Sequence, residues 1–166
     1  MNPRRVAAAT AIVVGIALIG WYVASPAEEG AAVRRRLQTF SDEVNRNATQ
    51  ALEPDARAAR FGAFFTDDVD VDFGHGTVPI KGRGTIVGMA ERLQPRTAAF
   101  TLKFQDVSVA MGPGADAADV HLTAEFIRRS ITTGEESLDA REFTIGMRQV
   151  AGEWKIARVT AVDTLK

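Results

Sequence analysis

The sequence predicts an α+β domain in which a curved antiparallel sheet wraps around three helices, preceded by one transmembrane helix. Three observations carry this prediction: an uncharged apolar run near the N-terminus, helical spacing of apolar residues through the first half of the chain, and four long strand-like runs filling the second half.

The apolar run spans Val6 to Ala24 and directly follows Arg4 and Arg5. As a helix it reaches roughly 28 Å, close to the ~30 Å hydrocarbon core of a bilayer. Trp21 and Tyr22 stand at its end, where aromatic rings favour the membrane interface. Length and the aromatic pair favour an uncleaved anchor. The alternative is a secretory signal cut near Ala27, after the small residues of Ser25-Pro26-Ala27. Arg4 and Arg5 on one side face Arg34, Arg35 and Arg36 on the other, so charge alone leaves orientation open. A short basic leader before an apolar run is the usual export arrangement and puts the domain outside the cytoplasm, periplasmic or extracellular. With no ionisable residue, the span offers a tether and no transport path of its own.

The remaining residues, 28–166, suit one domain with a proper core. A net charge of -1 lacks the basic footprint that nucleic acid requires, so nucleic acid is not an expected partner. The absence of cysteine excludes disulfides, thiolate catalysis and a lipid-modified cysteine.

Between Glu28 and Leu52, Val33, Leu37, Phe40, Val44 and Leu52 recur as one face of a helix requires. Pro54 suits the first turn of a second helix, and the Ala-rich stretch to about Phe65 would pack close against a neighbour. Val69, Val71 and Phe73 then alternate with Asp68, Asp70 and Asp72, the period of a half-buried strand that Gly74-His75-Gly76 turns. A second short strand takes Thr77 to Lys81. Gly82-Arg83-Gly84 breaks it, and Ile86, Met89, Ala90 and Leu93 restore helical spacing until Pro95. Four strands follow: Ala98 to Met111, Asp119 to Ile131, Leu138 to Val150 and Trp154 to Val162. Turn residues at Gly112-Pro113-Gly114, Thr133-Gly134-Glu135 and Ala151-Gly152 make them an antiparallel meander.

Three pieces of this pattern resemble the nuclear transport factor 2-like superfamily, which includes SnoaL-like polyketide cyclases and ketosteroid isomerases. Phe64-Phe65-Thr66-Asp67-Asp68-Val69 resembles the family's helix-to-strand junction, Ile80-Lys81-Gly82-Arg83-Gly84-Thr85-Ile86 the start of its third helix, and Gly152-Glu153-Trp154-Lys155-Ile156 its final hairpin. The resemblance covers about Ala31 to Leu165 and implies a cone-shaped sheet around the long helix, with a pocket between them. It is specific for fold and nearly silent on activity, because the family hosts enzymes, ligand binders and scaffolds. Ketosteroid isomerases place a catalytic aspartate at the end of the first strand; here that position resembles Phe73, with Asp72 on the opposite face. The only tyrosine, Tyr22, lies in the apolar run, so a polarising phenol is missing too.

The remaining candidates are weighed on their chemistry. Asp68, Asp70 and Asp72 fail the calcium-loop pattern, having Phe73 and Pro79 where glycine and glutamate belong, and no metal site is expected. Gly82, Gly84 and Gly88 lack the parallel βαβ unit of a dinucleotide turn. His75, in a glycine-flanked loop that the resemblance puts near the pocket mouth, is a candidate acid, base or donor, or simply a surface turn residue. His121 and Glu125 share a strand face roughly 13 Å apart and are out of phase with the core. Asp106 is in phase with Phe100, Leu102 and Phe104, which aims it inward against Arg141 unless the strand bulges before Val107 and Val109. Phe126 and Trp154 read first as core and second as pocket lining. The expected lining is therefore Phe73, His75, Phe104, Asp106, Phe126, Arg141 and Trp154. Arg34, Arg35 and Arg36 touch lipid headgroups or form a solvated helix face.

The leading expectation is a non-enzymatic membrane-tethered module that binds a small hydrophobic ligand in the pocket or protein on the open sheet face, with no cofactor and a possible homodimer through that face. One alternative is a SnoaL-like isomerase, lyase or cyclase acting on a hydrophobic carbonyl compound, with His75 or Asp106 as base. The other is an inner-membrane assembly subunit of a secretion-type complex.

Overall fold

The computed structural model describes residues 26–47, 54–74, 76–92, 98–130 and 132–162. The Val6–Ala24 run and His75 lie outside these residues. No helix among the described residues is long and apolar enough to cross a membrane.

The elements follow the order helix, helix, strand, strand, helix, then four strands: α1 (Pro26–Asn47), α2 (Pro54–Gly62), β1 (Phe65–Asp72), β2 (Ile80–Lys81), α3 (Arg83–Arg92), β3 (Ala98–Met111), β4 (Ala117–Ser130), β5 (Glu136–Val150) and β6 (Glu153–Ala161). The strands form one six-stranded sheet in the order β2-β1-β6-β5-β4-β3. β3 to β6 make the expected antiparallel meander, but β1 runs parallel to β6, so the sheet is mixed and not wholly antiparallel. The closing hairpin brings the last strand back beside the first, and β1 already points the same way, having been delivered there by two helices.

Strand boundaries shift where tertiary pairing overrides local pattern. β1 starts at Phe65, where Ile156 N–H donates to the Phe64 carbonyl, so α2 ends earlier than its alanines suggest. β2 shrinks to two residues because only Ile80 and Lys81 find partners on β1.

The core lies between the helices and the inner face of the sheet. Val33 and Leu37 of α1 are sealed against Val69, Val120, Ile145, Met147 and Ile156. Phe40 inserts among Phe61, Phe64, Phe65 and Phe104, with ring centroids 5.3–6.3 Å away. Offset and edge-on aromatic pairs at such distances add to the burial of the rings themselves. β3 is an edge strand, and α1 covers it: Asn45 Nδ2 and Ser41 Oγ both donate to the Leu102 carbonyl, while Leu102 N–H donates to Asn45 Oδ1. Unpaired edge groups are templates for unwanted pairing, and this cap removes two of them.

Candidate functional site

The cross-strand registers resolve the inner face into rows. Val109-Val120-Ile145-Val159 and Met111-Ala118-Met147-Ile156 form its closed end beneath α1. Trp154 belongs to this closed end. It is 5% exposed, its indole N–H donates to Glu29 Oε2 at 3.0 Å, and its carbonyl accepts from Arg36 Nε at 3.0 Å.

Toward the other end the face opens. The rows there are Leu122-Phe143-Ala161, Phe104-Ala124-Arg141, Leu102-Phe126-Asp139 and Phe100-Arg128-Ser137. Phe126 contacts Phe100 at 5.9 Å and Phe143 at 6.4 Å between centroids, giving a continuous aromatic wall whose outer members are only partly buried. Arg141 Nε sits 3.4 Å from Asp139 Oδ2, with both side chains more than half exposed. Phe73, just past β1, is 40% exposed.

The outer face carries a separate charged cleft of about 320 Å³ where β1 separates from β6, lined in part by Thr66, Asp67, Asp68, Arg83, Arg148 and Lys155. Two ion pairs cross it, Arg83–Asp67 at 2.8 Å and Arg148–Asp68 at 2.5 Å, and tie β1 to α3 and β5. The Arg148 hydrogen bond holds the Asp68 carboxyl below its usual range. The Thr66 hydroxyl adds a second pull without completing a well-aligned hydrogen bond.

Several expected site residues stand elsewhere. Asp106 does not enter the interior. β3 bulges between Gln105 and Ser108, Asp106 takes φ 53° there and faces solvent, and Val107, Val109 and Met111 regain the core side. A bulge avoids burying a carboxylate, and aspartate tolerates positive φ better than most residues. Arg141 therefore pairs with Asp139 on its own strand and not with Asp106. Phe104 stacks on Phe40 in the phenylalanine cluster of the core, and Trp154 serves the core. Phe126 and Phe73 stand at the open end.

The aspartate series is consumed structurally: Asp68 by Arg148, Asp70 by Lys81 at 3.6 Å, and Asp72 by the N–H of Gly74. Among the described residues no cluster of three or more acids and histidines could hold a metal. His121 and Glu125 lie on the outer face, where His121 Nδ1 meets Thr144 Oγ1 at 3.2 Å. Arg36 is neither lipid-facing nor free: it reaches Trp154 O and Ala63 O and lies 4.3 Å from the Phe64 ring centre. Phe100, Arg128 and Asp139 were not singled out from sequence. Their phase with Leu102, Phe126 and Arg141 was the available signal.

The SnoaL-like domain model matches residues 51–160, from before α2 to the penultimate residue of β6. The chain belongs to the SnoaL-like domain family. No curated protein matches it in sequence. Solved structures share the fold of this SnoaL-like domain at low identity. A protein provisionally named a scytalone dehydratase, from Novosphingobium aromaticivorans, is similar with TM-score 0.67 at 16% identity over 81% of this chain and 83% of its own. A provisionally named dehydratase of the nuclear transport factor 2-like family, from Streptomyces avermitilis, gives 0.68 at 16% over 86% and 100%. A provisionally named calcium/calmodulin-dependent protein kinase II association domain from Xanthomonas campestris gives 0.62 at 12% over 81% and 86%. These likenesses establish the SnoaL-like fold.

Proposed function

We propose that this SnoaL-like domain, residues 28–166, holds a small apolar molecule against the open end of its inner sheet face, tethered to a membrane by Val6–Ala24 with the domain on the non-cytoplasmic side. The binding reading rests on the partly uncovered aromatic wall of Phe100, Phe126 and Phe143. Concave apolar surface with a few convergent polar groups is the usual makeup of a ligand site. The tether rests on the length and flanks of the apolar run.

Binding without turnover is the primary reading, since Asp106 faces solvent on a bulge and the wall itself is hydrocarbon. A second reading, a lyase or isomerase acting on a hydrophobic carbonyl compound, is favoured by two structural neighbours named as dehydratases. His75 would then be its acid-base group.

The test is titration of the full chain with a neutral naphthalene probe. Phe126→Leu should weaken binding several-fold and Asp106→Asn should leave it unchanged. Equal affinity in all three proteins would dispose of the inner-face site. Turnover of any carbonyl substrate that is lost in His75→Ala would replace the binder by the enzyme.

A further inference from the structure

The open end of the inner face is amphipathic, and its charge is unbalanced. Arg128 and Arg141 lie two rows apart on that face, about 13 Å along β4 and β5, with the Phe126-Asp139 row between them. Two flexible guanidinium stems of this length can converge over the row that separates them. Asp139 is the one carboxylate placed between them in these rows, and it engages Arg141 through a single long contact at 3.4 Å, with both groups largely in water. Arg128 is exposed and has no acidic partner among the described residues. The same rows carry Phe100, Phe126 and, one step deeper, Phe143.

Neither charge is explained by folding. Both side chains are exposed, and the Arg141–Asp139 pair is of the kind that contributes little to stability. An aliphatic or polar uncharged residue would serve the sheet equally well at either position. What the arrangement does supply is a hydrocarbon surface ending in a net positive ledge. Guanidinium groups recognise carboxylates through parallel N–H donors, and they do so best where one side of the site is dry.

We infer that the ligand of this site is an amphipathic anion, an aromatic body packed on Phe100 and Phe126 with a carboxylate held by Arg128 and Arg141. This rests on the inner-face reading of the function. Asp139 acts as a competing internal anion that orients Arg141 when the site is empty and yields to the incoming carboxylate.

The experiment compares two probes of nearly one shape, naphthoate and naphthamide, by calorimetric titration against the full chain in lipid nanodiscs, with empty nanodiscs as blank. Naphthoate should bind about tenfold more tightly than naphthamide at low salt, the equivalent of one charge-assisted interaction. That preference should shrink as salt rises. In the Arg128→Gln, Arg141→Gln double variant, naphthoate should fall to the amide's affinity while naphthamide is unchanged, which also certifies that the variant is folded. Asp139→Asn should strengthen naphthoate alone. Equal binding of both probes to the parent chain, or a preference that survives the double variant, overturns the anion inference and leaves the apolar site standing. Failure of both probes to bind overturns the inner-face reading together with it.

Discussion

Asp68 and Arg148 illustrate how much of this surface is committed to holding the fold. The Asp68 carboxyl lies below its ordinary value of 3.8, first through the Arg148 hydrogen bond and next through Thr66. A carboxyl whose pKa is depressed in the folded state contributes stability that is complete above the unfolded value and lost as pH falls through the folded one. The expected outcome is that Asp68→Asn flattens the stability profile below about pH 4 and lowers the denaturation midpoint only slightly at neutral pH, because an exposed pair is screened by water. Urea titrations across the acid range check it. Asn45 is a more consequential single residue, since its amide serves both the N–H and the carbonyl of Leu102 on the edge strand. Asn45→Ala should cost about 1–2 kcal/mol in denaturant unfolding and increase aggregation, as a freed edge invites pairing. Nothing in the local sequence around Asn45 marks this role, because its partner lies 57 residues away.

The bulge in β3 shows an element resolving a conflict that its sequence contains. Phe100, Leu102 and Phe104 keep one phase, Val107, Val109 and Met111 the other, and an alternating strand cannot satisfy both without an extra residue. The pattern made either a buried Asp106 or a bulge possible, and the cost of burying an unpaired carboxylate decides for the bulge. Deleting Asp106 should remove the bulge and still allow folding, because Val107 would then stand alone opposite Leu122 with Val107, Val109 and Met111 kept on the core side. Asp106→Gly should be neutral or stabilising by up to about 1 kcal/mol, since glycine adopts φ 53° without strain. Thermal unfolding monitored by circular dichroism checks both. The parallel pairing of β1 with β6 has no comparable trace, since alternation in Val69 and Val71 reads alike whichever way the neighbour runs.

At the scale of the whole molecule, the proposed tether would hold the proposed anion site close to a bilayer. The full chain should sediment with membranes and resist alkaline extraction, whereas a chain lacking residues 6–24 should partition into the soluble fraction. Retention of the shortened chain in membranes would assign the attachment to the domain itself. The sequence by itself determined the element order, the α+β class and most of the core, because amphipathic periodicity and turn residues are local properties written by burial and backbone sterics. Only the tertiary structure decided that Asp106 leaves the interior, that Trp154 and Arg36 lock α1 to β6, and that Arg128, Asp139 and Arg141 share an open face with Phe100 and Phe126. Those outcomes depend on register and on partners tens of residues distant, and a side chain's surroundings across strands are fixed by which strand pairs with which, a choice that no local pattern encodes.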